Sequence, residues 1–192
     1  YSSVIEGAFT SREQAMDFLR RNRTPRSKSE QMIKNNYDAL TCVLEHLDEP
    51  IGEETILAIA RIVTRSAAEV QVSGYREGMV YVTGREGVVY TPPRAEVVPE
   101  MMRALVKFIR ESELHPLLKA CIAHFYLVYV HPFGDGNGRT ARALSYMMLL
   151  QAGYDFFRYV SVSGVVAEER GRYYRAMRSV EESDGDMTYF ID

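Results

Sequence analysis

Tryptophan is absent from this chain and cysteine nearly so, Cys42 and Cys121 being the whole complement. Two thiols inside apolar stretches cannot make a disulfide framework; they fit a reducing, cytoplasmic compartment, and neither reads as reactive. No apolar run approaches the roughly eighteen residues of a membrane helix, and the N-terminus lacks the basic-then-apolar pattern of a secretory leader. Charge of one sign is missing too. The 23 Lys and Arg against 26 Asp and Glu leave a net −3, too little for a general DNA-binding surface or an acidic tail. Neither membrane nor nucleic acid is an expected partner, and any anion site must be local. Also missing are the His-x₃-His and Cys-x₂-Cys spacings of zinc sites, the Gly-Lys-Ser/Thr end of a Walker loop and a GxGxxG after a strand. No repeat or long linker divides the 192 residues, so a single domain, 1–192, is the reading. Beginning at Tyr1 and ending at Asp192, the chain reads as a trimmed piece of something longer.

What is present is mostly helical spacing. Ser11 and Gln14 form a capping-box pair that opens a short helix through about Arg21. The stripe Ile33, Tyr37, Leu40, Val43, Leu44 and Leu47 predicts a core-facing helix over 28–47, and a largely buried helix follows over 53–70. Between positions 79 and 91 the period changes. Met79 to Val82 and Val88 to Thr91 are strand-like around a Gly-bearing turn, and Pro92-Pro93 stop the second strand, since proline gives a ladder no N–H. Helices are then expected from about Ala95 or Pro99 through Ile109, over 117–130 behind Pro116, over 138–151, and from Ser163 to Val180. The fold class is mostly all-α, with one β-hairpin.

His131 to Arg142 is unlike the rest: a histidine, an acid, three glycines and two arginines lie between two apolar helices. Gly134, Gly136 and Gly138 let several backbone N–H groups face one concave side, and the helix that starts at Asn137 or Gly138 adds its positive end. Such a loop can cradle phosphate. Arg139 and Arg142, three apart, can share a helix face toward a polyphosphate, and Asp135 beside it can hold Mg²⁺ with phosphate oxygens and water. His131 can take the proton of an attacking hydroxyl. Read residue by residue, the same stretch also fits a plain turn with solvated caps.

As a whole the segment resembles the signature of the Fic family, His-Pro-Phe-x-Asp/Glu-Gly-Asn-Gly-Arg-x-x-Arg, and every fixed position matches. Ala123-His124-Phe125 before the loop, the 79–91 hairpin with its Pro-Pro and the stretch from Ser163 to Ile191 extend the likeness over most of the chain. The resemblance implies a Fic-type helical bundle in which His131 is the general base and Phe133 a core anchor. It makes Asp135 the magnesium ligand, Gly136, Asn137 and Gly138 the anion nest, and Arg139 and Arg142 the partners of the β- and γ-phosphates of ATP. It further implies transfer of AMP from ATP to a Ser, Thr or Tyr hydroxyl of an unidentified target protein. The flap residues Val80, Tyr81, Val82, Val88, Val89 and Tyr90 would hold the target by strand addition.

Within residues 1–10, Ser2-x-x-x-Glu6-Gly7 resembles the family's inhibitory motif in the arrangement that precedes the loop. A Glu6 carboxylate on Arg142 would take the guanidinium that the γ-phosphate needs. Two alternatives stay open: the same carboxylate could orient a water that removes AMP from a modified protein, or the domain could bind ATP as a sensor without turnover. His124 reads as a hydrogen-bonded core histidine, the methionines as core filler, and Arg12 to Lys28 as a solvated helix end. Target, base preference and oligomeric state, a homodimer included, have no signature here.

Overall fold

The computed structural model describes residues 2–5, 7–8, 11–68, 71–84, 87–183 and 185–191. Within them the chain forms α1 (Ser2–Ile5), α2 (Arg12–Arg21), α3 (Lys28–Glu45), α4 (Glu53–Thr64), β1 (Val82–Gly84), β2 (Gly87–Tyr90), α5 (Val98–Glu111), α6 (Pro116–Val130), α7 (Asn137–Gln151), α8 (Val162–Glu168), α9 (Arg170–Glu182) and α10 (Thr188–Ile191). Single 3-10 turns at Ala95–Val97 and Asp155–Arg158 complete the elements. This is the mostly helical fold with one hairpin that the periodicity predicts.

Local chemistry sets most boundaries. The Ser11 hydroxyl accepts from the Gln14 N–H and the Gln14 side chain accepts from the Ser11 N–H, both at 3.1 Å, so α2 opens on a complete capping box. α1 stops because Gly7 takes φ +89, which lets the Ala8 N–H reach back to the Ser3 carbonyl at 2.9 Å. Helix α4 ends at Thr64, earlier than its apolar pattern suggests. The buried Asn35 side chain takes the Val63 and Arg65 carbonyls at 3.4 and 2.6 Å, and residues 69 and 70 lie outside the described residues.

The core-facing stripe of α3 differs from the expected one. Met32, Asn35, Ala39 and Val43 are buried, whereas Tyr37 and Leu44 are exposed. The small Ala39 lets neighbouring helices approach, and Asn35 turns inward for backbone carbonyls, a role that apolar periodicity does not register. Likewise Ser163–Val180 is not one helix: α8 and α9 meet at Glu169, whose φ −102 and ψ 32 leave the helical basin. The bend lets α8 lie on α1 while α9 sets Met177 and Val180 against Phe125.

The hairpin is shorter than the 79–91 pattern. Val82 faces Tyr90 and Thr83 faces Val88, so Val89 bulges, and Met79 to Tyr81 precede the paired strand. The turn residues at 85 and 86 are outside the described set. The main core joins Ile56, Ile59 and Val63 of α4 to Met102 of α5, Leu127 of α6 and Leu144 of α7, all nearly inaccessible. Each such side chain contributes about 1.5–3 kcal/mol of burial. These contacts fix α6 against α7 and so fix the loop between them.

Candidate active site

The loop from His131 to Gly136 is held at both ends. His131 caps α6 in the left-handed conformation, φ 50, and its N–H still reaches the Leu127 carbonyl at 3.0 Å. Its ring Nδ1 stands 3.1 Å from the Val128 carbonyl oxygen. A carbonyl can only accept, so Nδ1 carries the hydrogen and Nε2 is the basic nitrogen. Phe133 is buried and anchors the loop beneath the Tyr75 ring, 6.0 Å away between centroids. Asn137 then closes the loop. Its side chain accepts from the Phe133 N–H at 2.9 Å and donates to the Phe133 carbonyl at 2.8 Å.

Gly136 occupies a place no other residue fits comfortably. Its φ is +81, and an added Cβ would stand 2.7 Å from Thr64 Cγ2 and 3.2 Å from Val63 Cγ2. Close approach to the end of α4 goes with an α7 that begins at Asn137 without a side-chain cap.

The two arginines go to different neighbours. Arg139, 2% exposed, donates through Nη1 to the Val63 carbonyl at 2.6 Å and through Nη2 to Asp135 Oδ1 at 2.8 Å. Asp135 Oδ1 also accepts from the Gly136 N–H. Arg142, also buried, donates through Nε to the Ser2 hydroxyl at 2.9 Å and through Nη2 to the Ser2 carbonyl at 3.1 Å. Ser3 ties the same short helix to α3 through the Met32 carbonyl at 3.0 Å. Asp135 and Arg139 are thus brought together, while Arg142 is brought to the N-terminal segment. Glu6 lies outside the described residues.

Arg76 had no signal in the sequence beyond being one arginine among many. It is buried, and burial holds its guanidinium below the ordinary arginine range. Nε donates to the His131 carbonyl at 2.8 Å, and the Arg76 N–H donates to the Pro132 carbonyl at 2.8 Å. A cation at the end of α6 also meets the negative end of that helix's dipole. Beside it the Tyr75 hydroxyl donates to Glu53 at 2.7 Å, tying this segment to the start of α4.

A family model described as the Fic/DOC family matches residues 50–149, from the approach to α4 through most of α7. The chain belongs to the Fic/DOC family. Among curated proteins, the protein adenylyltransferase Fic of Nematostella vectensis is 32% identical over 148 residues, which cover 74% of this chain and 31% of that protein. The protein adenylyltransferase fic-1 of Caenorhabditis elegans is 37% identical over 121 residues, 60% of this chain and 22% of that one. The chain therefore spans less than a third of the length of either relative. A solved Fic family protein from Desulfovibrio desulfuricans G20 superposes with a TM-score of 0.85 at 26% identity, over 99% of this chain and 57% of that chain. Residues 134–508 of C. elegans Fic-1 superpose with a TM-score of 0.74 at 25% identity, over 100% of this chain and 56% of that chain.

The Fic hairpin presents Tyr81, Val88 and Val89 to solvent, each about half exposed. Val80 and Val82 are partly buried. Tyr90 turns inward instead, its hydroxyl donating to the Tyr129 carbonyl at 2.8 Å, and burial pushes its pKa up. That side chain is spent on the fold and is not part of an outward docking face. Behind the Fic loop a cavity of about 710 Å³ runs between α6, α7 and the C-terminal helices. It reaches Arg142 and Ser2, but not His131, Asp135 or Arg139. His124 lines it as a buried, hydrogen-bonded residue, 2.8 Å from the Tyr173 hydroxyl. Among the described residues, which do not include Glu6, no trio of His, Cys, Asp or Glu could hold a metal unaided. A hard cation at Asp135 would need phosphate and water oxygens to complete its shell.

Proposed function

We propose that this Fic domain transfers AMP from ATP to a hydroxyl of a protein, and that its N-terminal segment restrains it. The observation that carries the reading is the His131 ring, whose Nδ1 is fixed on the Val128 carbonyl so that Nε2 is the proton acceptor. The hydroxyl oxygen of the acceptor forms a bond to the α-phosphorus while its proton passes to Nε2. The bond from that phosphorus to the bridging oxygen breaks, and pyrophosphate leaves with the bond's electron pair. The open start of α7, with Asn137 and Gly138, fits the phosphates, and Arg139 and Arg142 add positive charge beside them. Mg²⁺ held by Asp135 and phosphate oxygens would neutralise charge on the leaving group. The two relatives' names support adenylyl transfer. Two unpaired thiols fit a reducing, cytoplasmic setting.

In the restrained state Ser2 engages Arg142, and the Glu6 carboxylate would complete the hold on the guanidinium that a γ-phosphate needs. ATP would then bind with its α-phosphate out of line. Incubating the parent chain, Glu6→Gly and Glu6→Gly/His131→Ala with α-labelled ATP tests both halves. Label should enter Glu6→Gly faster than the parent, and Glu6→Gly/His131→Ala should incorporate none. Equal incorporation with and without His131 would end the transferase reading. Release of AMP from a modified protein by the parent would instead favour the hydrolase.

A further inference from the structure

The end of α6 poses an accounting problem, because the last carbonyls of a helix have no partner within it. His131 itself serves two of them, its N–H taking Leu127 and its Nδ1 taking Val128. The next three are served from the hairpin and the segment leading into it. Tyr90 of β2 donates to the Tyr129 carbonyl, while Arg76 donates to Val130 at 3.3 Å and to His131 at 2.8 Å. The same guanidinium also binds the Gly78 carbonyl at 2.9 Å and the Pro93 carbonyl, which lie at the two feet of the hairpin. One buried side chain therefore joins the base of the flap to the backbone that carries His131.

We propose that Arg76 and Tyr90 are positioning residues that set the height and angle of the flap relative to the His131 imidazole. The proposal rests on the transferase reading given above. A strand-addition flap grips an acceptor through its main chain, so where the acceptor hydroxyl arrives depends on where the flap stands. A misplacement of about 1 Å in such a system costs on the order of 10²-fold in rate. The ring of Tyr90 lies 5.9 Å from that of Tyr129, so the hydroxyl bond directs a contact that ring packing alone leaves free to slide. Arg76 is fit for a role lysine could not fill. Its planar fork reaches four carbonyls from three nitrogens, whereas an ammonium is a single point. Neither residue needs to touch ATP or the acceptor.

The test uses the Glu6→Gly chain, with Tyr90→Phe, Arg76→Lys and the double variant added to it. Self-modification at saturating ATP gives the transfer rate, calorimetry gives ATP affinity, and amide exchange followed by mass spectrometry reports on residues 78–91 and 131–136. Each single variant should transfer at least five-fold more slowly, with ATP affinity within two-fold of the parent. The double variant should be no slower than the worse single one, because both act through one clamp. Exchange should quicken in both segments together. Unchanged transfer, ATP affinity falling in step with transfer, or single effects that multiply would each overturn the proposal. If Arg76→Lys does not fold, Tyr90→Phe, which loses only one oxygen, decides by rate and exchange. If Glu6→Gly itself transfers nothing, the transferase reading fails. The exchange measurement still judges the clamp, and loosening of the flap alone, or of neither segment, rejects it.

Discussion

Arg142 grips Ser2 at two atoms, the hydroxyl at 2.9 Å and the carbonyl at 3.1 Å, so a guanidinium expected to face a phosphate is turned toward the first helix of its own chain. Ser2→Ala removes the hydroxyl and keeps the carbonyl. Labelled-ATP incorporation should rise several-fold over the parent, less than for Glu6→Gly, since one hydrogen bond from a charged donor, on the order of 1.5–3 kcal/mol, is lost while the carbonyl contact stays. An unchanged rate would mean that the Ser2 hydroxyl plays no part in restraining transfer.

Gly136 offers a sharper test of how the loop is built. Gly136→Ala combines a left-handed backbone, worth about 1–2 kcal/mol, with a Cβ 2.7 Å from Thr64 Cγ2. Urea unfolding should give a total loss above about 2 kcal/mol. Adding Thr64→Ser deletes the clashing methyl and keeps the hydroxyl that bonds the Ala60 carbonyl at 2.7 Å. Part of the loss should return while the backbone share remains; no recovery would mean that the contact with α4 is not what makes glycine necessary.

His124 supplies a pH dependence. Burial, helped by the positive charge of Arg142, pushes its pKa down to about 3, from an ordinary value of about 6.5. An unfolded chain then takes up the proton first as pH falls. Stability from this residue is whole above about pH 6.5 and declines toward pH 3, by at most about 1.4 kcal/mol per pH unit. His124→Phe abolishes the titration, so its urea midpoint should shift less between pH 7 and pH 5 than the parent's. Equal shifts would show that His124 is protonated in the fold.

Contiguity decided what could be read in advance. The loop residues from His131 to Arg142 stand together in the chain, and the Ser11 and Gln14 cap is three residues wide, so both were legible. Arg76 was not, because its partners are carbonyls as many as 55 residues away, exposed only when α6 ends beside it. Asn35 defeated the apolar stripe of α3 for the same reason, being a polar residue buried to satisfy the end of α4. The inward turn of Tyr90 escaped too: alternation along a short strand gives each face, but the bulge at Val89 resets which face is inside. Spacing alone put Arg139 and Arg142 on one helix face; what they bind was set by α4 and α1, which no local pattern contains.

The Ser2 to Arg142 contact closes a span of 140 residues. A ribosome delivers Ser2 long before it delivers Arg142, so the N-terminal segment is already waiting when the loop is threaded out and folds. Contacts of such high contact order form late, yet lengthening a loop adds little further entropy. A newly made copy thus passes through no stage in which the loop is complete while its own Ser2 has still to be translated.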